Sequence, residues 1–73
     1  MFHCQIFMAN GSKWLVPDDA EKVRGPRRVF DSFYEVRHFF VFDLENWIFC
    51  ANEDGWDTDF QDVRGFRAIQ VKK

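Results

Sequence analysis

The side chains that could serve as bases, nucleophiles or metal ligands are few: His3, His38, Cys4, Cys50, Ser12, Ser32 and Thr58. Nucleophilic catalysis needs a hydroxyl or thiol beside a base that a third group holds in place. No nucleophile-elbow pattern and no glycine-rich phosphate loop occurs. An enzyme is not expected. His3 reads as a terminal strand residue and His38 as a hydrogen-bonded sheet residue. Zinc needs four ligands, usually in closely spaced pairs. The close pair His3-Cys4 points to opposite faces of a strand, so no metal site is expected. Asp57-Thr58-Asp59 opens like a calcium loop, with Gln61 next in series. The turn position that needs glycine is then Asp62, and the position for the bidentate glutamate is Ala68. A solvated acidic loop is expected instead, and no cofactor.

Charge is more telling than nucleophiles. The net charge of −2 hides a segregation. Asp43, Glu45, Glu53, Asp54, Asp57, Asp59 and Asp62 occupy a segment with no Lys or Arg. Arg64, Arg67, Lys72 and Lys73 follow in a segment with no acid, and Arg24, Arg27 and Arg28 surround Gly25-Pro26. Opposed fields on a small domain steer and orient a partner more than they add affinity.

Fourteen of the 73 residues are aromatic. A domain near this size buries only about 60% of the surface its unfolded chain exposes. Some rings must therefore reach the surface, where large apolar patches mark partner sites. Arg24, Arg27, Arg28, Phe30, Phe33, Tyr34 and Arg37 interleave guanidiniums with rings, as single-strand nucleic-acid binders do. The sequence pI of about 5.5 opposes that reading, and contact with nucleic acid is expected to be indirect. Protein recognition fits better, since interfaces favour aromatic residues and Arg. Arg24, Arg27, Arg28, Phe30 and Phe33 are the candidate contacts, beside a helix-to-strand junction expected to be exposed.

The elements that position these residues follow from spacing. Phe2, Cys4, Ile6 and Met8 alternate as one face of a strand. Asn10-Gly11 marks a turn, and Trp14-Leu15-Val16 reads as the return strand of a hairpin. Pro17 to Gly25 reads as a short helix capped by Asp18, with Glu21 at capping-box spacing and Gly25-Pro26 as the stop. Val29, Phe33, Val36 and Phe40 recur at helical spacing, whereas Tyr34, Val36, Phe40 and Phe42 alternate like a strand. The β-rich composition favours the strand, with a hairpin from about Val36 to Ala51 turning at Asp43–Asn46. Residues 52–62 read as an acidic loop tethered by Trp56 and Phe60. Phe66 to Lys72 suits a final strand. Phe2, Ile6, Phe40, Phe42, Trp47 and Phe49 are the expected sheet core, and Phe30, Phe33, Trp56 and Phe60 the rings suspected at the surface.

The sum is one compact domain over residues 1–73. Its class is α+β, a mostly antiparallel β-sheet of about four or five strands with one short helix. Apolar runs such as Phe39–Phe42 are far short of the roughly 18 residues a membrane span needs. Neither a secretory leader nor a lipidation signal is read at the termini. A cytoplasmic monomer with two buried thiols is expected. A Cys4–Cys50 bridge would require their strands to pair.

Three stretches, MFHCQIFMANG, FFVFDLENWIFCANEDGW and VRGFRAIQVKK, prompt a whole-chain likeness. The chain resembles a small bacteriophage-encoded regulator of host RNA polymerase, of the Xanthomonas-phage type that inhibits initiation and suppresses termination. The resemblance assigns no role to an individual residue. It implies a non-enzymatic protein in the bacterial host cytoplasm. It also implies docking on the large polymerase subunits near the RNA exit channel, on a surface that an elongation factor could share. Two alternatives come from other classes. A small nucleic-acid-binding module would shift RNA or DNA on a gel in a salt-dependent way. An acidic decoy that inhibits a host defence nuclease would lose its activity when Asp54, Asp57 and Asp59 are neutralised.

Overall fold

The computed structural model describes residues 1–72. Strands β1 (Phe2–Met8) and β2 (Lys13–Leu15) form the expected N-terminal hairpin, and β3 (Val63–Gln70) closes the sheet in the order β2-β1-β3, antiparallel throughout. The turn uses the left-handed backbone of Gly11, at φ 88°. Register pairs Gln5 with Leu15, Cys4 with Ala68 and Ile6 with Phe66. The even positions of β1 face inward as their spacing predicts: Cys4 and Ile6 are fully buried, and Phe2 and Met8 pack beside them. Phe2 also exchanges two backbone hydrogen bonds of 2.8 Å with Phe30, which takes the sheet edge beyond β2.

The α+β class holds, but among the described residues the strands number three rather than four or five. The expected hairpin over Val36–Ala51 is one continuous helical rod from Phe33 to Glu53. It comprises α1 (Phe33–His38), a wide π turn (Phe39–Asp43) and α2 (Leu44–Glu53). The rod starts because Ser32 is an extended N-cap whose hydroxyl accepts the Glu35 N–H at 3.2 Å. The Glu35 carboxylate reaches back to the Asp31 N–H at 2.8 Å, a capping box displaced by one residue. It stops in a Schellman motif. Gly55, at φ 98°, donates to the Asn52 carbonyl, and Trp56 donates to that of Ala51.

The wide turn sets which side chains of the rod reach the core. The rod buries Val36, Phe39, Leu44, Trp47, Ile48 and Ala51, so one gap is five residues long. In a pure α-helix five residues advance about 500°, which leaves Leu44 far off the face of Phe39. The Leu44 N–H instead bonds the Phe39 carbonyl five residues back, and the extra residue brings Leu44 round to the core.

The expected helix over Pro17–Gly25 is also corrected. The segment is two consecutive turns, with Lys22 donating to the Asp19 carbonyl and Gly25 to that of Lys22. Asp19, not Asp18, caps locally by accepting the Glu21 N–H. The loop leaves the sheet at Pro17 and returns at Arg27, which form a β-bridge. The Asp18 N–H then bonds Pro26. Two turns of helix are marginal alone, and closing the loop on itself satisfies more of its backbone. The rod packs on one face of the sheet, with Cys4, Ile6, Val16 and Phe30 meeting Val36, Phe39, Leu44 and Trp47 in a single core.

Candidate interaction surface

The five predicted contacts lie on one loop-to-helix segment, but they do different jobs. Phe30 is 4% exposed, so its ring belongs to the core and supports the surface from below. Arg28 is half-buried. Its guanidinium lies 4.8 Å from the centre of the Phe30 ring and 5.0 Å from that of Phe39, a double cation–π contact that fixes a positive charge in place. Its carbonyl also bonds Nδ1 of His3 at 2.9 Å. Arg28, Val29, Glu35, His38 and Asp43 rim a shallow cavity of about 230 Å³ over these rings. Phe33, the first residue of α1, is half-exposed and leans on Phe66. Arg27 folds back onto the Val23 and Leu15 carbonyls at 3.0 and 3.3 Å, bracing the loop. Arg24 is exposed beside Glu21, Lys22 and Trp56. Arg24, Arg27 and Arg28 therefore string positive charge along the loop, while Phe33 lies apart on the rod against Tyr34 and Phe66. The junction is loop-to-helix, because the segment after Arg28 is not a strand.

The sequence reading missed a second surface. Tyr34, Val41, Phe42 and Phe49 project from the solvent side of the rod and are 77, 56, 70 and 62% exposed. Phe42 and Phe49 are thus outside the core in which alternation placed them, and His38 lies on the rod rather than in the sheet. Its ring is 4.9 Å from that of Phe42. The available signal was capping-box spacing, Ser32 followed three residues on by Glu35, ahead of an apolar run.

The acidic segment forms a third region. Trp56 is swung back by the Schellman turn and meets Trp14 edge-on at 4.7 Å and Trp47 at 5.3 Å. Phe60 is half-buried against the core, so Trp56 and Phe60 tether the loop as expected. The Asn52 side chain holds the Thr58 backbone through two hydrogen bonds. Asp57, Asp59 and Asp62 rim a cavity of about 290 Å³ walled by Trp14 and Trp56. Among the described residues no group of three or more His, Cys, Asp or Glu side chains is placed to hold a metal ion. Among the described residues no helix is long and apolar enough to cross a membrane.

Both thiols are free, Cys4 in the sheet and Cys50 exposed on α2, so the expectation of two buried thiols holds for Cys4 alone. Burial pushes the Cys4 thiol from 9.0 up to about 12, partly countered by the Arg28 charge. A raised folded value means the unfolded chain loses this proton first. The contribution of Cys4 to stability is whole below pH 9 and is lost as pH rises toward 12. At pH 8, an alkylating reagent is expected to modify Cys50 and spare Cys4 in the folded chain. Denaturant should expose both, as mass spectrometry would record. Rapid native labelling of Cys4 would contradict its place in the core.

No protein family, no curated protein and no solved structure matches the chain.

Proposed function

We propose that the chain is a non-enzymatic bacteriophage regulator that docks on bacterial RNA polymerase. There it inhibits initiation and suppresses termination near the RNA exit channel. The observation that carries the reading is the Arg28 guanidinium fixed over Phe30 and Phe39, on the same basic loop as the exposed Arg24 and Arg27. A preset charge on an aromatic platform loses little freedom on binding, and Arg and aromatic residues dominate interface energetics. The resemblance of the whole chain to phage regulators of this type names the partner. The large polymerase subunits would receive the patch, an elongation factor could share their surface, and nucleic acid would be met only indirectly. The site of action is the host cytoplasm.

Retention of polymerase from bacterial lysate, followed by transcription in vitro with the purified chain, tests this. A chain that retains no polymerase and alters neither initiation nor read-through would sink the proposal. Reversing both Arg27 and Arg28 to Glu is expected to weaken binding at least about tenfold and to flatten its salt dependence. Circular dichroism must show the variant folded, because both residues also brace the loop. Unchanged affinity in a folded double variant removes this patch as the docking surface.

A further inference from the structure

The exposed face of the helical rod carries a pattern that a single copy does not need. Its outward residues run Tyr34, then Arg37 and His38, then Val41 and Phe42, then Glu45 and Asn46, then Phe49, all exposed. The pairs stand side by side because the wide turn keeps α1 and α2 in phase on the solvent side, as it does on the core side. The series is symmetric about the midpoint of Val41 and Phe42. Aromatic rings close both ends, apolar side chains fill the centre, and basic residues on one side of it balance an acid and an amide on the other.

We propose that this face docks a second copy of the chain, antiparallel, about a two-fold axis passing between Val41 and Phe42. A two-fold contact uses the same patch on both partners, so the patch must be self-complementary. Under that rotation Tyr34 meets Phe49 of the second copy, Val41 meets Phe42, Arg37 meets Asn46 and His38 meets Glu45. Glu45 also lies one position along from Arg37 of the second copy. Every basic group thus faces a hydrogen-bond acceptor, and no like charges are opposed. A parallel arrangement would set Arg37 against Arg37 and Glu45 against Glu45.

The area agrees. Full aromatic side chains bury about 150–250 Å², so the exposed parts of Tyr34, Val41, Phe42 and Phe49 amount to roughly 500 Å² per copy. Two copies then approach the lower bound of about 1,000 Å² for a specific interface, which points to a weak dimer that forms as concentration rises. A single-copy state follows from burying Phe42 and Phe49 in a sheet core, and both rings are exposed instead. The Arg28 cavity shares only His38 with the face, so the dimer proposal does not rest on the polymerase reading.

Sedimentation equilibrium over a concentration series up to the millimolar range tests the inference. The wild-type chain is expected to move from its monomer mass of 8.8 kDa toward twice that value. Phe42→Asp should raise the dissociation constant at least about tenfold. Glu45→Lys should weaken association several-fold, and the swap His38→Glu with Glu45→Lys should restore it to within about twofold. Positions 38 and 45 are two turns apart on one rod, so rescue reports contact between copies. A chain that stays monomeric throughout overturns the proposal. So does a swap that fails to rescue. If the chain stays monomeric and Phe42→Asp also abolishes polymerase retention, the face belongs to the polymerase.

Discussion

Deleting Glu45 is expected to unfold the domain, whereas deleting Val41 is expected to leave it folded. The two deletions lie four residues apart in the same exposed row, and neither removes a core side chain. They differ in what they do to the phase of the rod. Removing Val41 shortens the gap between Phe39 and Leu44 from five residues to four. The wide turn then becomes ordinary α-helix, and both buried residues keep their face. Removing Glu45 leaves Leu44 only two residues from Trp47 and turns one relative to the other by about 100°. Relaxing the wide turn offers no escape, because Asp43 would then occupy the place of Leu44 and a carboxylate would enter the core. Thermal melts followed by circular dichroism would separate the outcomes. Equal melting temperatures for the two deletions would show that the wide turn does not set the register.

The middle of the chain marks how far the fold was legible. The N-terminal hairpin was readable because Phe2, Cys4, Ile6 and Met8 alternate cleanly and Asn10-Gly11 supplies the turn chemistry. The last strand was readable for a similar reason, although it begins at Val63, three residues earlier than expected. The middle was not. Phe33, Val36, Phe40, Leu44, Trp47 and Ala51 keep helical spacing, but Tyr34, Val36, Phe40 and Phe42 also alternate like a strand. Aromatic and β-branched residues then tipped the balance toward strand. Tertiary packing decided otherwise, through a cap at Ser32 and Glu35 and a stop at Gly55, all local signals in the sequence. The candidate contacts fared unevenly for a physical reason. Interleaved Arg and Phe do form a platform at Arg28, but spacing along a loop does not reveal which ring faces inward. Phe30 faces the core and Phe33 the solvent.

Leu44→Ala should be among the most destabilising single substitutions, and Phe42→Ala and Phe49→Ala among the mildest, the reverse of what ring size suggests. Leu44 is fully buried between the rod and the sheet. Truncating a buried leucine costs about 2–5 kcal/mol, depending on how far the site collapses. A domain of this length holds roughly 4–11 kcal/mol in total. The loss is therefore a large fraction of the whole and should lower the melting temperature by about 10–30 °C. The core here is shared among a few residues, with Phe39, Trp47 and Ile48 adjoining the gap, so little can move in to fill it. Phe42 and Phe49 bury less than half of their surface, and alanine favours a helix more than phenylalanine does. Their replacement should shift the melting temperature by no more than a few degrees in dilute solution. At high concentration the wild-type chain should gain stability by mass action if the rods pair, and Phe42→Ala should not share that gain. Melts at two concentrations thus check the core assignment and the paired face in one experiment. A large loss for Phe42→Ala in dilute solution would place its ring in the core of the single chain.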